Sequence, residues 1–434
     1  MGVSTGQRAD AVRLRRTPGA PHSGAWVWVL SAVLVAGALT ASRLHGQDLM
    51  VYRAGARAFV ENPSGLYAPV LPLDDGHFLP FTYPPFAALV MLPLAFLPQW
   101  AATVVNVGAS LGLLWLVCRD FAPRLAAVLP EPVRPWCTAP LLLGVLCWMS
   151  PFRDSFGFGQ INIIVFGLVY LACTRLGLGF LAGVVLGLLG GVKLTPLALG
   201  LVPLAWGRWK TVLGMFTGFA GSLFLSAAVA PGLSKQYWFE VIRDPSRVGG
   251  IGYFDNVSFE GVIARLGTDM KGVWFLGVLV VVALTLMALM GLRGRIDLPA
   301  QLGLGATAML LISPISWTHH ATWLPVMVYG WLCVGKVTGR LRWAFAAVSG
   351  IIVIVMGVGF RGIGWDTVPY DLFSVHPWAR IVACIPAALM LLGTCCAFAA
   401  VLTMRGRPGL FEVPRTLLRR SRRPDPVPSS EISE

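Results

Sequence analysis

The chain has 434 residues, of which 56% are hydrophobic and 12% are charged, and its mean hydropathy is +0.72. A soluble domain carries roughly 25% charged residues, so this composition excludes a water-soluble fold with a polar surface. The net charge of +14 is concentrated beside the first and last apolar stretches, where it favours contact with anionic headgroups and does not indicate nucleic-acid binding.

Recurring apolar stretches predict about twelve transmembrane helices, since one crossing needs about 20 apolar residues. In lipid each stretch must satisfy its own backbone hydrogen bonds, so we expect an all-α polytopic bundle. The predicted spans cover residues 25–42, 86–117, 137–149, 161–175, 177–191, 194–206, 211–231, 272–291, 298–312, 321–336, 343–360 and 380–403.

The basic loops decide how the predicted spans are oriented. The stretch 86–117 is long enough for two helices divided at Pro98, but counting it as one crossing places all the basic loops on the same, cytoplasmic side. We therefore expect a cytoplasmic basic tail at 1–24, a transmembrane domain at 25–404 and a cytoplasmic, partly disordered Arg-rich tail at 405–434. The first span is expected to be an uncleaved anchor in the plasma (inner) membrane.

The polar residues capable of chemistry fall in the remaining loops, on the outer face. Asp48 follows the first span, and a carboxylate near the headgroup level can accept a proton from a hydroxyl nucleophile. The alternative is a structural loop acid paired with Arg53. Residues 51–60 alternate apolar and small side chains, which predicts a helix on the membrane surface.

Two further segments introduce spans with polar or rigid residues. Tyr83 lies beside the paired prolines Pro84 and Pro85, which predict a rigid turn at the start of a helix. Gln160 and Asn162 offer amide groups at the start of another span. A buried amide needs a partner, so these side chains either bind a ligand or, for Asn162, cap the helix.

Lys193 stands alone between two apolar spans. A buried ammonium needs an anionic partner such as a phosphate, and the alternative is a lysine that reaches the membrane surface. His319 and His320 follow a Ser-Pro turn. Adjacent helical residues point about 100° apart, so one histidine is expected to face a phosphate or assist proton transfer while the other packs.

The long loop 232–271 and the segment before the histidines supply the last candidates. In the loop, Tyr237 and Trp238 either form part of an interfacial aromatic belt or offer a platform for a sugar face. Asn256 adds another amide on the same side, and Trp317 precedes the histidines. Our candidate substrate-binding residues are Arg53, Tyr83, Gln160, Asn162, Lys193, Trp238, Asn256 and Trp317.

A series of these motifs occurs in order between about residues 45 and 325: an Asp after the first span, Phe81-Thr82-Tyr83-Pro84-Pro85, Phe158-Gly159-Gln160-Ile161-Asn162, Lys193-Leu194-Thr195-Pro196, and Ser313-Pro314-Ile315-Ser316-Trp317 before His319-His320. The series resembles C-type glycosyltransferases of family 87, the actinobacterial polyprenyl-phosphate-mannose-dependent α-1,2-mannosyltransferases. Within that family the resemblance is closest to enzymes that extend phosphatidylinositol mannosides.

The resemblance implies the C-type transmembrane fold with an outward-facing cavity. It also implies a catalytic Asp at the position of Asp48 and a catalytic role for the histidine pair, His319 and His320. The expected reaction is inverting: Asp48 takes a proton from an acceptor mannose hydroxyl, which displaces a lipid phosphate from the anomeric carbon. A lipid phosphate needs charge stabilisation more than protonation, and Lys193, one histidine and Arg53 are candidates for it.

The expected partners are a polyprenyl phosphate mannose donor, a glycolipid acceptor and the lipid bilayer, with a monomer as the working unit. No cofactor and no metal are expected. The nearby acids Asp74 and Asp75 lie in a segment expected to be mobile. Alternatives are an α-1,2 branching mannosyltransferase of lipomannan or lipoarabinomannan, a polyprenyl-phosphate arabinofuranosyltransferase and, from another class, a transporter of a lipid-linked sugar.

Overall fold

The computed structural model describes residues 24–72, 78–267, 270–339, 341–362 and 377–404. Across these ranges the regular structure is helical apart from one antiparallel strand pair, β1 (Pro69–Pro72) and β2 (Phe78–Pro80). The prediction of an all-α protein is confirmed for the described chain. The predicted tails lie outside the described residues except for Gly24, as do Asp74 and Asp75.

The helices follow one another with short connections. The first eight are α1 (Ala25–Ala41), α2 (Gln47–Glu61), α3 (Pro85–Ala95), α4 (Gln99–Val128), α5 (Ala139–Trp148), α6 (Ser150–Phe158), α7 (Asn162–Arg175) and α8 (Phe180–Val192). The next are α9 (Leu201–Ala205), α10 (Trp209–Val229), α11 (Pro231–Phe239), α12 (Phe259–Arg265), α13 (Lys271–Gly291), α14 (Leu298–Ile312), α15 (Leu324–Thr338), α16 (Arg342–Gly362) and α17 (Trp378–Thr403). Short 3-10 helices are Pro63–Gly65, Arg134–Trp136, Thr195–Gly200, Val241–Arg243, Pro245–Val248 and Thr318–Trp323.

Five of these helices in the described chain are long and apolar enough to cross a membrane: α4, α10, α13, α16 and α17. Apolar helices of 10–17 residues accompany them, so the chain is a polytopic helical membrane protein. Some predicted spans are interrupted. The stretch 194–206, for example, consists of a 3-10 helix, Thr195–Gly200, followed by the short α9. The number of about twelve crossings stays a prediction.

The break that the sequence allows at Pro98 is present, because the stretch 86–117 is divided between α3 and α4 at residues 96–98. Pro98 is the residue that precedes α4, and a proline disfavours helical backbone in the residue before it. Helix α3 has 11 residues, about 16 Å in length, and is too short to cross a hydrocarbon core of about 30 Å. Helix α4 is the one long helix in this stretch.

Both ends of α3 lie against α2. At the C-terminal end of α3, Arg57 Nε donates to the Ala95 carbonyl at 2.8 Å, and Arg53 Nε donates to the Leu94 carbonyl at 3.1 Å. Just before the N-terminal end of α3, the Tyr83 hydroxyl lies 3.0 Å from the Tyr52 hydroxyl of α2. The predicted surface helix at 51–60 is therefore part of α2, and α2 and α3 form a side-by-side pair.

A polar cluster joins four helices at the far end of α4 from Gln99. Asp120 accepts hydrogen bonds from Arg124 at 3.3 Å and from Tyr170 of α7 at 2.8 Å. Asp297, which precedes α14, accepts from Arg124 at 3.1 Å and from Tyr329 of α15 at 2.9 Å. The shared Arg124 thus links the ends of α4, α7, α14 and α15.

Helices α8 and α10 pack through small residues spaced four apart in each helix. A Cβ at Gly187 would lie 2.1 Å from the Met215 carbonyl oxygen, and one at Gly218 would lie 2.3 Å from the Val184 carbonyl oxygen. Gly183 and Gly214 make equally close approaches. Small residues let transmembrane backbones approach closely where side-chain packing, rather than water exclusion, drives association.

We therefore expect Gly218→Leu to lower the melting temperature in detergent, because the added side chain must separate α8 from α10. Overpacking of this kind typically costs about 1–3 kcal/mol. The matched control is Gly221→Leu in the same helix, where a Cβ meets nothing within 4 Å. Equal melting temperatures for the two variants would contradict the close packing of α8 on α10.

Candidate functional site

Asp48 lies in the first turn of α2, where the helix N-terminus favours a negative charge. The chain reaches this point through Gly46, whose φ is +67°, a left-handed conformation that glycine adopts without strain. The Gly46 N–H donates to the Gly157 carbonyl at 2.8 Å. The start of α2 is thereby fixed on the end of α6.

The junction between α6 and α7 brings Gln160 to Asp48. Gly159 has φ +71°, and a Cβ there would lie 2.7 Å from the Leu49 Cβ, so glycine is required both for the turn and for the contact with α2. The next residue, Gln160, is buried and donates from Nε2 to Asp48 Oδ2 at 2.5 Å. A hydrogen bond to the carboxylate favours its ionised form.

A cavity of about 290 Å³ opens beside this pair. It gathers most of the residues proposed from the sequence, which are spread over more than 270 positions: Asp48, Tyr83, Gln160, Lys193, Trp317, His319 and His320. The predicted rigid turn is also present, since Pro84 precedes α3 and Pro85 is its first residue.

Lys193 follows α8 in the connection to the next 3-10 helix, and only 8% of its surface is exposed. Its Nζ donates to Asn162 Oδ1 at 2.6 Å and lies 3.5 Å from the Tyr83 hydroxyl. Burial lowers the pKa of Lys193 to about 7, and the Asp48 carboxylate opposes part of this shift. The side chain faces the cavity rather than the membrane surface, so a snorkelling lysine is the wrong interpretation.

The histidine pair occupies the 3-10 helix Thr318–Trp323. The two rings are in edge contact with centroids 4.8 Å apart, and both line the cavity. Burial lowers the pKa of His320 well below its usual range, and Lys193 and His319 act in the same direction. These surroundings favour the neutral imidazole of His320, which can form hydrogen bonds without adding positive charge.

Asn256 holds this segment in place from outside the cavity. Its side chain is fully buried, accepts from the Ser316 N–H at 2.9 Å and donates to the Pro314 carbonyl at 3.2 Å. Arg265 in turn donates to the Asn256 carbonyl at 2.8 Å. The structure thus corrects the interpretation of Asn256 as a substrate-binding residue, because its amide is engaged by the backbone that leads to the histidines.

Arg53 and Trp238 also lie outside the cavity. The Arg53 guanidinium donates to the Leu94 and Leu97 carbonyls and to the Gln99 side chain, so it anchors the end of α3 instead of facing a phosphate. Trp238 packs edge-on against Phe219, with centroids 5.9 Å apart. The structure therefore does not bring Arg53 or Trp238 into the lining of the cavity with the other candidate residues.

Asn162 is the first residue of α7 and lies behind the cavity wall. The N-cap residue of α7 is Ile161, with no side-chain hydrogen bond, so the interpretation of Asn162 as the helix cap is wrong. Its Nδ2 donates to Gln160 Oε1 at 3.2 Å and to the His319 carbonyl at 3.0 Å. Asn162 joins three cavity residues, Gln160, Lys193 and His319, without lining the cavity itself.

The cavity also contains residues that the sequence analysis missed. Tyr52 lies one helical turn after Asp48, so its spacing of four residues was a signal that both share a face of α2. Arg247, from the long loop 232–271, also lines the cavity, and so does Tyr237, which the sequence suggested together with Trp238 as a platform for a sugar. The Arg247 guanidinium donates to the Tyr67 carbonyl. Nothing in the local sequence distinguishes Arg247 from the other basic residues of that loop.

This arrangement combines the carboxylates of Asp48 and Asp244, a buried lysine, two imidazoles and several aromatic rings around one space. It is suited to deprotonating a hydroxyl on one side while an anionic leaving group is stabilised on the other. Among the described residues, no group of three or more His, Cys, Asp or Glu side chains is arranged to hold a metal ion.

Comparison with known proteins decides between transfer and transport. The sequence signature of glycosyltransferase family 87 matches residues 81–314. This chain belongs to glycosyltransferase family 87. It is therefore a glycosyltransferase, and the transporter hypothesis is not supported.

Three relatives show how the similarity is distributed. The chain is 32% identical to a polyprenol-phosphate-mannose-dependent alpha-(1-2)-phosphatidylinositol pentamannoside mannosyltransferase of Mycolicibacterium smegmatis, over 76% of this chain and 75% of the relative. It is 33% identical to a phosphatidylinositol mannoside mannosyltransferase of that species, over 65% of this chain and 68% of the relative. It is 28% identical to a phosphatidylinositol mannoside mannosyltransferase of Mycobacterium tuberculosis, over 82% of this chain and 86% of the relative. No solved structure shows significant similarity to the chain.

The pKa of Lys193 predicts a pH dependence of stability. An unfolded lysine titrates near 10.4, so between pH 7 and 10 the unfolded chain binds more protons at Lys193 than the folded one, and stability rises with pH. We expect the melting temperature of the wild type minus that of Lys193→Met to increase from pH 7 to pH 9 in detergent without substrate. A constant difference would show that Lys193 stays charged in the ligand-free cavity.

Proposed function

We propose that this glycosyltransferase moves mannose from polyprenyl phosphate mannose to a phosphatidylinositol mannoside, forming an α-1,2 linkage with inversion. The support from comparison is the specificity stated in the names of the relatives, which share the same donor and the same acceptor class. The support from geometry is a single observation: Asp48 shares one cavity with Lys193 and the histidine pair.

Asp48 is the proposed general base. It accepts the proton of an acceptor mannose hydroxyl while that oxygen forms a bond to the anomeric carbon of the donor. The bond from that carbon to the phosphate oxygen breaks at the same time, so the β-linked donor gives an α-linked product and a free lipid phosphate. One carboxylate suffices, in contrast to the paired acids of glycoside hydrolysis.

Lys193 and the histidines are the proposed partners of the donor phosphate. Lys193 is buried with uncharged neighbours, Asn162 and Tyr83, within hydrogen-bond distance, so a bound phosphate would supply the anion that a buried ammonium requires. The neutral His320 adds a hydrogen bond at the same place. Trp317, which lines the cavity and contacts Tyr253 edge-on, is the proposed surface for a sugar face.

The proposed setting is the plasma membrane, with about twelve crossings, both tails in the cytoplasm and the cavity on the periplasmic or outer face. This orientation follows the positive-inside rule. The position of α3 supports it: because α3 lies along α2, α4 alone makes the crossing between the Asp48 segment and the basic loop that contains Arg134.

The function is tested with purified protein and labelled donors. We expect transfer from polyprenyl phosphate mannose, and not from polyprenyl phosphate arabinofuranose, to a phosphatidylinositol mannoside. The product should lose its label to an α-1,2-specific mannosidase. Arabinose transfer, or transfer restricted to lipomannan, would replace this proposal with one of the two alternative transferases.

The role of Asp48 predicts a large and selective loss of turnover. Asp48→Asn removes basicity and should reduce turnover per folded protein by about 10²–10⁴-fold, the usual contribution of general-base catalysis. Asp48→Glu should also be slow, because a displacement of about 1 Å can cost about 100-fold. Glu61→Gln, at the exposed C-terminal end of the same helix, is the control. Near-normal turnover by a well-folded Asp48→Asn protein would remove Asp48 from the mechanism.

A further inference from the structure

Lys193, Asn162 and Gln160 form a directed chain of hydrogen bonds that ends at Asp48. Lys193 Nζ donates to Asn162 Oδ1 at 2.6 Å, and Asn162 Nδ2 donates to Gln160 Oε1 at 3.2 Å. Gln160 Nε2 then donates to Asp48 Oδ2 at 2.5 Å. Each amide accepts at its oxygen and donates from its nitrogen, so every bond of the chain has the same sense.

A second branch runs from Lys193 to Gln160 through two tyrosines. Lys193 Nζ lies 3.5 Å from the Tyr83 hydroxyl, and that hydroxyl lies 3.0 Å from the Tyr52 hydroxyl. Tyr52 donates to Gln160 Oε1 at 2.8 Å. An ammonium can only donate. When Lys193 donates to Tyr83, the proton of Tyr83 is directed to Tyr52, and both branches end as donors on Gln160 Oε1.

The orientation of both amides follows from this connectivity. Asn162 must place its oxygen toward the donating Lys193 and its nitrogen toward the His319 carbonyl, which can only accept. Asn162 Nδ2 and Tyr52 then require an oxygen from Gln160. If the Gln160 amide were flipped, its NH2 group would face the Asn162 NH2 group, donor against donor. Its oxygen would then face the Asp48 carboxylate, acceptor against acceptor.

We propose that Gln160 is a positioning residue for Asp48. This inference rests on the proposed function for the role of Asp48 as the general base. The His319 carbonyl and Lys193 fix the Asn162 amide, and the Asn162 and Tyr52 donors then fix the Gln160 amide. The fixed Gln160 Nε2 group orients the Asp48 carboxylate and stabilises its charge. Gln160 therefore acts through Asp48 and does not have to contact the sugar.

The charged and titratable groups around Asp48 set the background for its titration. Three of these groups belong to the two hydrogen-bonded branches described above: Tyr52 on the same helix, Tyr83 before α3 and Lys193 after α8. The groups on the other walls of the cavity are Tyr237, Asp244, Arg247, His319 and His320. Gln160→Met replaces none of these titratable groups, so a shift in the Asp48 titration is assigned to the loss of the Gln160 amide.

The test compares wild type with Gln160→Met, which keeps the length of the side chain and removes the donor. We expect kcat to fall by about 10-fold or more, since orientation of a catalytic group is lost. The acidic limb of the pH–rate profile should move to higher pH, because the ionised carboxylate loses its hydrogen bond. Gln160→Glu should move that limb further, since it sets a like charge beside Asp48.

The matched control is Gln301→Met, which removes another fully buried glutamine whose oxygen accepts from Trp206 outside the cavity. It should lower stability without moving the pH–rate profile. An unshifted acidic limb in Gln160→Met, combined with a raised KM for the acceptor, would instead make Gln160 a sugar-binding residue and overturn the proposal.

A second measurement does not depend on turnover. Between pH 4 and 7, the change in melting temperature that Asp48→Asn causes is measured in two backgrounds. One background is the wild type and the other is Gln160→Met. We expect the titration obtained from these differences to move to higher pH in the Gln160→Met background. An unmoved titration overturns the proposal. A moved titration in a protein that transfers no mannose would retain the role of Gln160 while rejecting the proposed substrates.

Discussion

A lysine ammonium can donate hydrogen bonds but has no lone pair with which to accept one. The polar side chains beside the cavity are oriented to suit this property of Lys193. Lys193 is buried where Asn162 and Tyr83 meet it. Because an ammonium can only donate, the groups around it must turn their acceptors inward, and this requirement propagates through two amides and two tyrosines. The protein thereby fixes polar side chains inside a largely apolar bundle, where each unsatisfied group costs several kcal/mol.

The elements that carry these side chains are held by backbone contacts rather than by the polar residues of the site. Gly46 is bonded to Gly157, and Gly159 contacts Leu49, so the start of α2 and the end of α6 are joined before any side chain is considered. Asn256 does the same for the segment Ser313–His320. Catalytic groups on such supported elements keep their positions without substrate, which is the condition for electrostatic preorganisation.

The sequence predicted the helical membrane class and most of the cavity, because hydropathy and short motifs are local signals. Asp48, Lys193 and His319 were identifiable as polar residues with no structural reason to stand in apolar surroundings. Arg53 and Asn256 have the same appearance in the sequence. Their partners are backbone carbonyls 41 and 58 residues away, and a carbonyl has no sequence signature, so only the fold reveals their anchoring roles.

The break within 86–117 shows a second limit. Pro98 marks the break in the sequence, but hydropathy reports only how apolar the two halves are and does not tell the course of α3. Whether such a stretch crosses the membrane or folds back depends on what its polar ends bind. Here Arg53 and Arg57 bind the carbonyls at the end of α3, an interaction that pairs α3 with α2 and leaves no trace in the hydropathy profile.

The hydrogen bonds from Arg53 and Arg57 that hold α3 against α2 affect how the enzyme responds to its lipid environment. A bilayer of different hydrophobic thickness is accommodated by tilting of the long helices. The distance between Asp48 and Tyr83 is set by the packing of α2 on α3, which arginine–carbonyl hydrogen bonds within the protein maintain. We therefore expect the spacing between Asp48 and Tyr83 to stay unchanged when α4 tilts in response to a different acyl-chain length.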